Sequence, residues 1–109
     1  MPDVTWPAAI LGTDLPFLAN GSVSSYDYLP GNRPTALEVI VDQDGTMEGF
    51  VVNDDGVARS MGTPTAITAN LASGSLHVMF VDFPTRRLRV IYTNTSGVAG
   101  VARFRARAQ

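Results

Sequence analysis

The sequence predicts an all-β domain, a two-sheet antiparallel β-sandwich of about eight short strands in jelly-roll rather than immunoglobulin-like order, behind a loose N-terminal leader. Three observations predict it. Beyond residue 35 the apolar residues follow the two-residue period of half-buried strands. Turn signals rich in Gly, Asn and Asp interrupt that period about every eight to twelve residues, the spacing of sandwiches and barrels. The ten glycines and seven prolines are spread so that no long helix fits between them, and no repeat of about 20–50 residues suggests a solenoid.

Residues 1–34 contain five of the seven prolines (Pro2, Pro7, Pro16, Pro30 and Pro34) and show no sustained period. They are expected to form an irregular arm, packed on the domain or on a partner, with a helical turn at 8–11 stopped by Gly12 and a short strand near 23–29. Residues 35–109 form the sandwich. Leu37, Val39 and Val41 alternate with Glu38, Ile40 and Asp42. Asp44-Gly45 reads as a tight hairpin turn, because Asp-Gly accepts the positive φ such turns require. Strands then follow over 46–52, 57–61 and 64–69. The run 75–83, rich in Val, Leu and Phe, reads as the central strand, and 86–93 with 98–107 read as a closing hairpin. The expected core is Leu37, Val39, Val41, Phe50, Val78, Phe80, Leu88, Val90 and Phe104.

In the closing pair Leu88, Val90 and Tyr92 share one face, and Ala102, Phe104 and Ala106 share another. A one-residue slip turns a whole strand over, so both apolar sets face the core only if a bulge at Gly97 or Gly100 pairs Leu88 with Phe104 and Val90 with Ala102. That register stacks Arg89 on Arg103 and Arg87 on Arg105. Like charges directly opposite each other destabilise a sheet. Either the guanidinium groups splay into water, or the ladder meets carboxylates of a neighbouring subunit. Asp44, Asp54 and Asp55, with Asp42 and Glu48, are the complement within the same sequence.

Composition narrows the function. The chain has 109 residues, enough for one domain, no cysteine and a net charge of −2. Disulfides and thiolate metal sites are excluded, and a general nucleic-acid partner is not expected. No run approaches the roughly 18 apolar residues of a membrane-spanning helix, so no membrane is expected as a partner either, and the N-terminal residues lack the pattern of a secretory signal. All eight basic residues are arginine, which fits a GC-rich coding sequence or packed, bidentate interface contacts.

No catalytic, cofactor or metal site is expected. In Asp42-Gln43-Asp44-Gly45 the glycine is fourth, whereas a calcium-binding EF-hand loop has it sixth between helices. His77 stands alone and reads as structural. The nucleophile-elbow, phosphate-loop and dinucleotide patterns are absent from the sequence. Trp6, with Ile10, Leu11, Phe17 and Leu18, either caps the core or docks on a neighbour, since apolar chain without regular structure needs a surface to lie on.

Arg89-Val90-Ile91-Tyr92-Thr93-Asn94-Thr95, followed by a strand of small residues ending Arg103-Phe104-Arg105-Ala106, resembles the closing strands of small tailed-phage virion proteins. The Pro34-Thr35-Ala36-Leu37-Glu38-Val39 entry strand does too. Head decoration proteins, spike bases and components of phage-like gene transfer particles have this character. The resemblance implies a non-enzymatic structural protein that assembles in symmetric copies with itself and other particle proteins, made in the bacterial cytoplasm and carried in the virion or particle. The alternative is a carbohydrate-binding β-sandwich, for which Tyr26 and Tyr28, on one strand face, would supply stacking rings.

Overall fold

The computed structural model describes residues 9–29, 34–72, 77–81 and 87–108. Every regular element among them is a strand: β1 (Ala9–Phe17), β2 (Ser22–Ser24), β3 (Thr35–Val41), β4 (Gly45–Val52), β5 (Ala58–Ser60), β6 (Thr65–Ile67), β7 (His77–Val81), β8 (Arg87–Asn94) and β9 (Gly100–Ala108).

The pairings nest. β1 pairs with β9, β2 with β8, β3 with β7, and β4 with both β5 and β6, as in one long folded hairpin. Rolling that hairpin up also sets β3 against β9 and β4 against β8. The result is two antiparallel sheets, β1-β9-β3-β7 and β2-β8-β4-β5, with β6 beside β5 on the same flank of β4. This is jelly-roll order.

The core is the two inner faces. Leu37, Val39 and Val41 of β3 lie in register with Ala106, Phe104 and Ala102 of β9. Across the gap, Leu88, Val90 and Tyr92 of β8 stand opposite Val51, Gly49 and Met47 of β4. All three β3 residues, all three β8 residues and all three β9 residues are buried. The expected facing of these strands therefore holds, because strict alternation allows only one side to be apolar.

Several expectations are corrected. β8 and β9 do not form a hairpin, because the loop between them crosses from one sheet to the other. The proposed facing of Leu88 on Phe104 as ladder partners, and the arginine ladder that follows from it, are replaced by partners on β1, β2, β3 and β4. Asp44-Gly45 is likewise a crossing between β3 and β4 rather than a hairpin. Gly45 is required by closeness: a Cβ there would strike the Thr93 carbonyl and come 2.7 Å from the Tyr92 ring. The true hairpin joins β4 to β5 through Asn53–Val57, where Asn53 N donates to Val57 O at 3.1 Å and Gly56 has φ +80°.

The run expected to be central is the edge strand β7. Its inward residues are Met79 and Val81, in register with Leu37 and Thr35, so Val78 and Phe80 point outward. Phe50 is half-buried on the outer face of the second sheet, opposite Arg89. Within the expected arm and helical turn, residues 9–17 and 22–24 are strands of the two sheets. The period fails there because β1 shifts register twice, between Ile10 and Gly12 and between Gly12 and Leu15, with Asp14 at φ +50°. Such bulges bend a strand and leave its extra residues unpaired.

Candidate interaction surfaces

The arginines expected to form the ladder are divided between the two sheets, and Arg87, Arg89 and Arg103 each have a partner of their own. Arg89 on β8 makes a two-point bond to Asp27, Nε to Oδ1 at 2.7 Å and Nη2 to Oδ2 at 3.1 Å. The Asp27 bond raises the Arg89 pKa, against a smaller opposing effect of burial. Arg103 on β9 donates Nε to Asp14 Oδ1 at 2.7 Å, tying the bulge of β1 to its neighbour. Arg87 Nη2 donates to the Asn53 carbonyl at 3.0 Å. Arg105 lies between Ile10 on β1 and Glu38 on β3, and Arg107 Nε is 3.9 Å from Glu38 Oε1.

The acidic residues expected to complement the ladder hold turns of their own chain. Asp44 Oδ1 accepts from Ala69 N at 2.8 Å, Asp55 Oδ1 from Val57 N at 3.0 Å, and Asp42 Oδ1 from Val101 N at 3.0 Å. Asp54 is exposed on the β4–β5 hairpin. The Asp55 bond is an Asx turn, the usual use of Asp and Asn in turns, whereas Asp44 and Asp42 reach across the fold to segments 25 and 59 residues away. His77 Nε2 lies 2.9 Å from the Thr68 carbonyl, which ties β7 to the chain after β6.

Two asparagines fasten the chain where strands end, Asn70, which sequence reasoning passed over, and Asn94, which it read as turn chemistry. Buried Asn70 donates Nδ2 to Val39 O at 3.1 Å and accepts from Val41 N at 2.8 Å. Buried Asn94 donates to Leu18 O at 3.1 Å and to Val98 O at 2.8 Å. A buried asparagine satisfied on both sides of its amide marks a backbone that must stay in place. Neither stands in a run that distinguishes it from a turn residue.

The two edges of the sandwich differ. At the β1/β2 edge Tyr26 N, just past β2, donates to Leu11 O of β1 at 2.7 Å and so links the two sheets, while Gly21 N closes the turn between the strands on Leu18 O at 2.9 Å. Phe17 is buried there in contact with Tyr92, so it is a core residue. Leu18 projects outward, 78% exposed, with Ile10 at 68% and Tyr26 at 64%. Trp6 lies outside the described residues. At the opposite edge, β7 and the β5–β6 connection stand apart over a cleft of about 360 Å³, lined by Gly49, Met61, Thr63, Met79 and Phe80 among others. Phe80 is 74% exposed at its rim.

No protein-family model matches the chain, and no curated protein matches its sequence. Solved structures do match its fold. The PBSX exported protein XepA superposes with a TM-score of 0.70 at 17% identity, over 94% of this chain and 36% of XepA. The chain thus spans about a third of that protein. A family 43 arabinoxylan arabinofuranohydrolase from Bacillus subtilis (TM-score 0.46, 11% identity, 96% of this chain and 27% of that one) is more distant. A family 6 carbohydrate-binding module (0.43, 10%, 89% and 79%) is also more distant.

Proposed function

We propose that the chain is a structural component of a phage or phage-like particle, a capsid decoration, head-spike base or tail accessory protein that assembles in symmetric copies. The observation that carries this reading is the jelly roll itself, an architecture used by viral capsid and lectin domains, with topology matching XepA over nearly the whole chain. The resemblance of Arg89 to Thr95 and of Arg103 to Ala106 to small virion proteins points the same way. Arg87, Arg89 and Arg103, with Asp42, Asp44 and Asp55, fasten strands and turns of their own chain, which suits a scaffold.

Purified particles from a producing strain, fractionated on a density gradient, should carry the protein in fixed ratio to the major capsid protein. Its recovery only in the soluble fraction overturns the proposal. Of the two tyrosines on which the carbohydrate-binding reading rests, Tyr26 is exposed and Tyr28 is half-buried where it bridges to Leu88. A glycan array separates the two readings: a structural piece gives no signal.

A further inference from the structure

We infer that the cleft between β7 and the β5–β6 connection is a binding site for a small, neutral, aromatic molecule of one ring or a fused pair. The inference goes beyond the particle reading and does not depend on it.

The site follows from a missing side chain. β4 turns Met47, Gly49 and Val51 toward the core, and at Gly49 nothing fills the place. The ends of Met61 and Met79 take up part of that room, Cε and Sδ lying 2.6 Å and 2.5 Å from where a Cβ of residue 49 would sit. One thioether thus comes from each side of the cleft. Beside them a space of about 360 Å³ stays open.

Both walls are fixed by backbone bonds. Met61 N donates to Gly49 O at 2.9 Å. The Ser60 hydroxyl donates to Gly62 O at 2.7 Å and accepts from Gly62 N at 3.2 Å, closing the turn that leads to Thr63. Opposite, Met79 and Val81 stand on β7, in register with Leu37 and Thr35 of β3. A pocket formed before its ligand arrives loses little in ordering itself, and small-molecule sites are mostly of this kind.

The lining selects the ligand. None of the described lining residues is charged, and the Thr63 hydroxyl is the only polar side-chain group among them. A charged ligand would give up its hydration there without a partner, and a sugar would leave most of its hydroxyls unpaired. The volume lies near the lower end of the range of about 300–1,000 Å³ for ligand pockets. An apolar cavity of about 150 Å³ already lodges benzene, so a fused pair of rings fits. Sulfur decides between a ring and an alkyl chain of the same bulk, because thioethers gain from contact with an aromatic ring. Thr63 offers one acceptor for a ring N–H or O–H.

Indole is the probe, titrated into the nitrogen-15-labelled full chain and followed by NMR. Saturable shifts should gather at Gly49, Met61, Thr63 and Met79, with a dissociation constant on the order of 1 mM or tighter. Indoleacetate, which adds a carboxylate, and heptanol, which lacks the ring, should each bind at least about threefold more weakly. Gly49→Ala should push both methionine ends into the cleft and weaken indole binding about tenfold. If circular dichroism finds that variant unfolded, Met61→Leu with Met79→Leu keeps the volume, removes the sulfurs and should weaken binding about threefold or more. Absence of saturable shifts up to the solubility of indole overturns the site, as do shifts scattered over the surface or an affinity that the folded variants leave unchanged. Heptanol or indoleacetate binding as tightly as indole overturns the neutral aromatic ligand. Particle incorporation is read separately by the density gradient, so neither result decides the other.

Discussion

Phe17 and Tyr92 meet across the sandwich, their ring centroids 4.9 Å apart and their planes tilted by 55°. One ring comes from β1 and the other from β8, so the contact joins the two sheets near the closed edge. The Tyr92 hydroxyl continues the link by donating to the Gln43 carbonyl at 2.5 Å. Burial first, then the charges of Asp42 and Asp44, push the Tyr92 pKa up from 10.0 to about 12.

That shift predicts an alkaline weakness. Because the folded pKa lies above the unfolded one, the folded state holds a proton that the unfolded state gives up. The stabilisation is complete below the unfolded value and is lost as pH rises from 10.0 to about 12. Urea denaturation at stepped alkaline pH should show stability falling across that window in the wild type. The fall should be shallower in Tyr92→Phe, which also loses the hydroxyl bond, at a cost of about 1 kcal/mol at neutral pH. Equal slopes for the two proteins would remove Tyr92 as the cause.

Phe104 and Phe80 look alike in sequence and differ in structure. Phe104 is fully buried between β1 and β3, whereas Phe80 is largely exposed. Chemical denaturation should find Phe104→Ala destabilising by about 3–5 kcal/mol, the usual range for a core phenylalanine. Phe80→Ala should stay within about 0.5 kcal/mol. Similar costs at both positions would contradict the facing of β7.

Asn70 should prove to be a structural fastening. Asn70→Ala strands Val41 N and removes the donor to Val39 O, both in a buried part of β3. Each orphaned group costs about 1–3 kcal/mol, so a loss of about 2–4 kcal/mol is expected. Hydrogen exchange should speed up at Val41 above all. A neutral substitution would mean that the end of β3 is open to water.

The two inward glycines of β4 should respond differently to alanine. At Gly45 the new methyl meets the Thr93 backbone and the packed Tyr92 ring, neither of which can yield. At Gly49 it meets the ends of two methionines beside an open cleft. Thermal denaturation should place Gly45→Ala at about 3 kcal/mol or more of destabilisation, at the upper end of overpacking. Gly49→Ala should cost less than about 1 kcal/mol, because methionine side chains shift readily.

The facing of β3, β8 and β9 was legible because Leu37, Val39 and Val41, then Leu88, Val90 and Tyr92, then Ala102, Phe104 and Ala106 alternate without a break. Partners were not. Alternation says which side of a strand meets the core and is silent on which sheet the strand joins. Consecutive strands usually neighbour each other, so 86–93 and 98–107 read as a hairpin, and a jelly roll breaks that habit at several crossings. β1 escaped because its bulges at Gly12 and Asp14 and its proline destroy the period. β7 misled because both of its faces are apolar, Val78 and Phe80 outside, Met79 and Val81 inside, so residue type could not choose between them. Among the expected interface residues, Leu18 is outward while Phe17 belongs to the core. The cleft joins residues far apart in sequence, which no local pattern announces.

The arginine pairing offers the sharpest test of the topology. Arg89 and Arg103 stand in different sheets, each beside its own aspartate. As partners in one ladder they would repel each other, so replacing both would relieve a shared strain and their effects would not add. As members of separate pairs they should be independent, and distant sites add within about 0.3–0.5 kcal/mol. A double-mutant cycle of Arg89→Ala with Arg103→Ala should therefore give a coupling within that error. The cycle of Arg89→Ala with Asp27→Ala should give a favourable coupling of up to about 1 kcal/mol, the upper range for a partly exposed ion pair. Its two-point geometry places it toward that end, and added salt should shrink it. A large coupling between the two arginines, with none between Arg89 and Asp27, would restore the hairpin and displace β8 and β9 from the sheets described above.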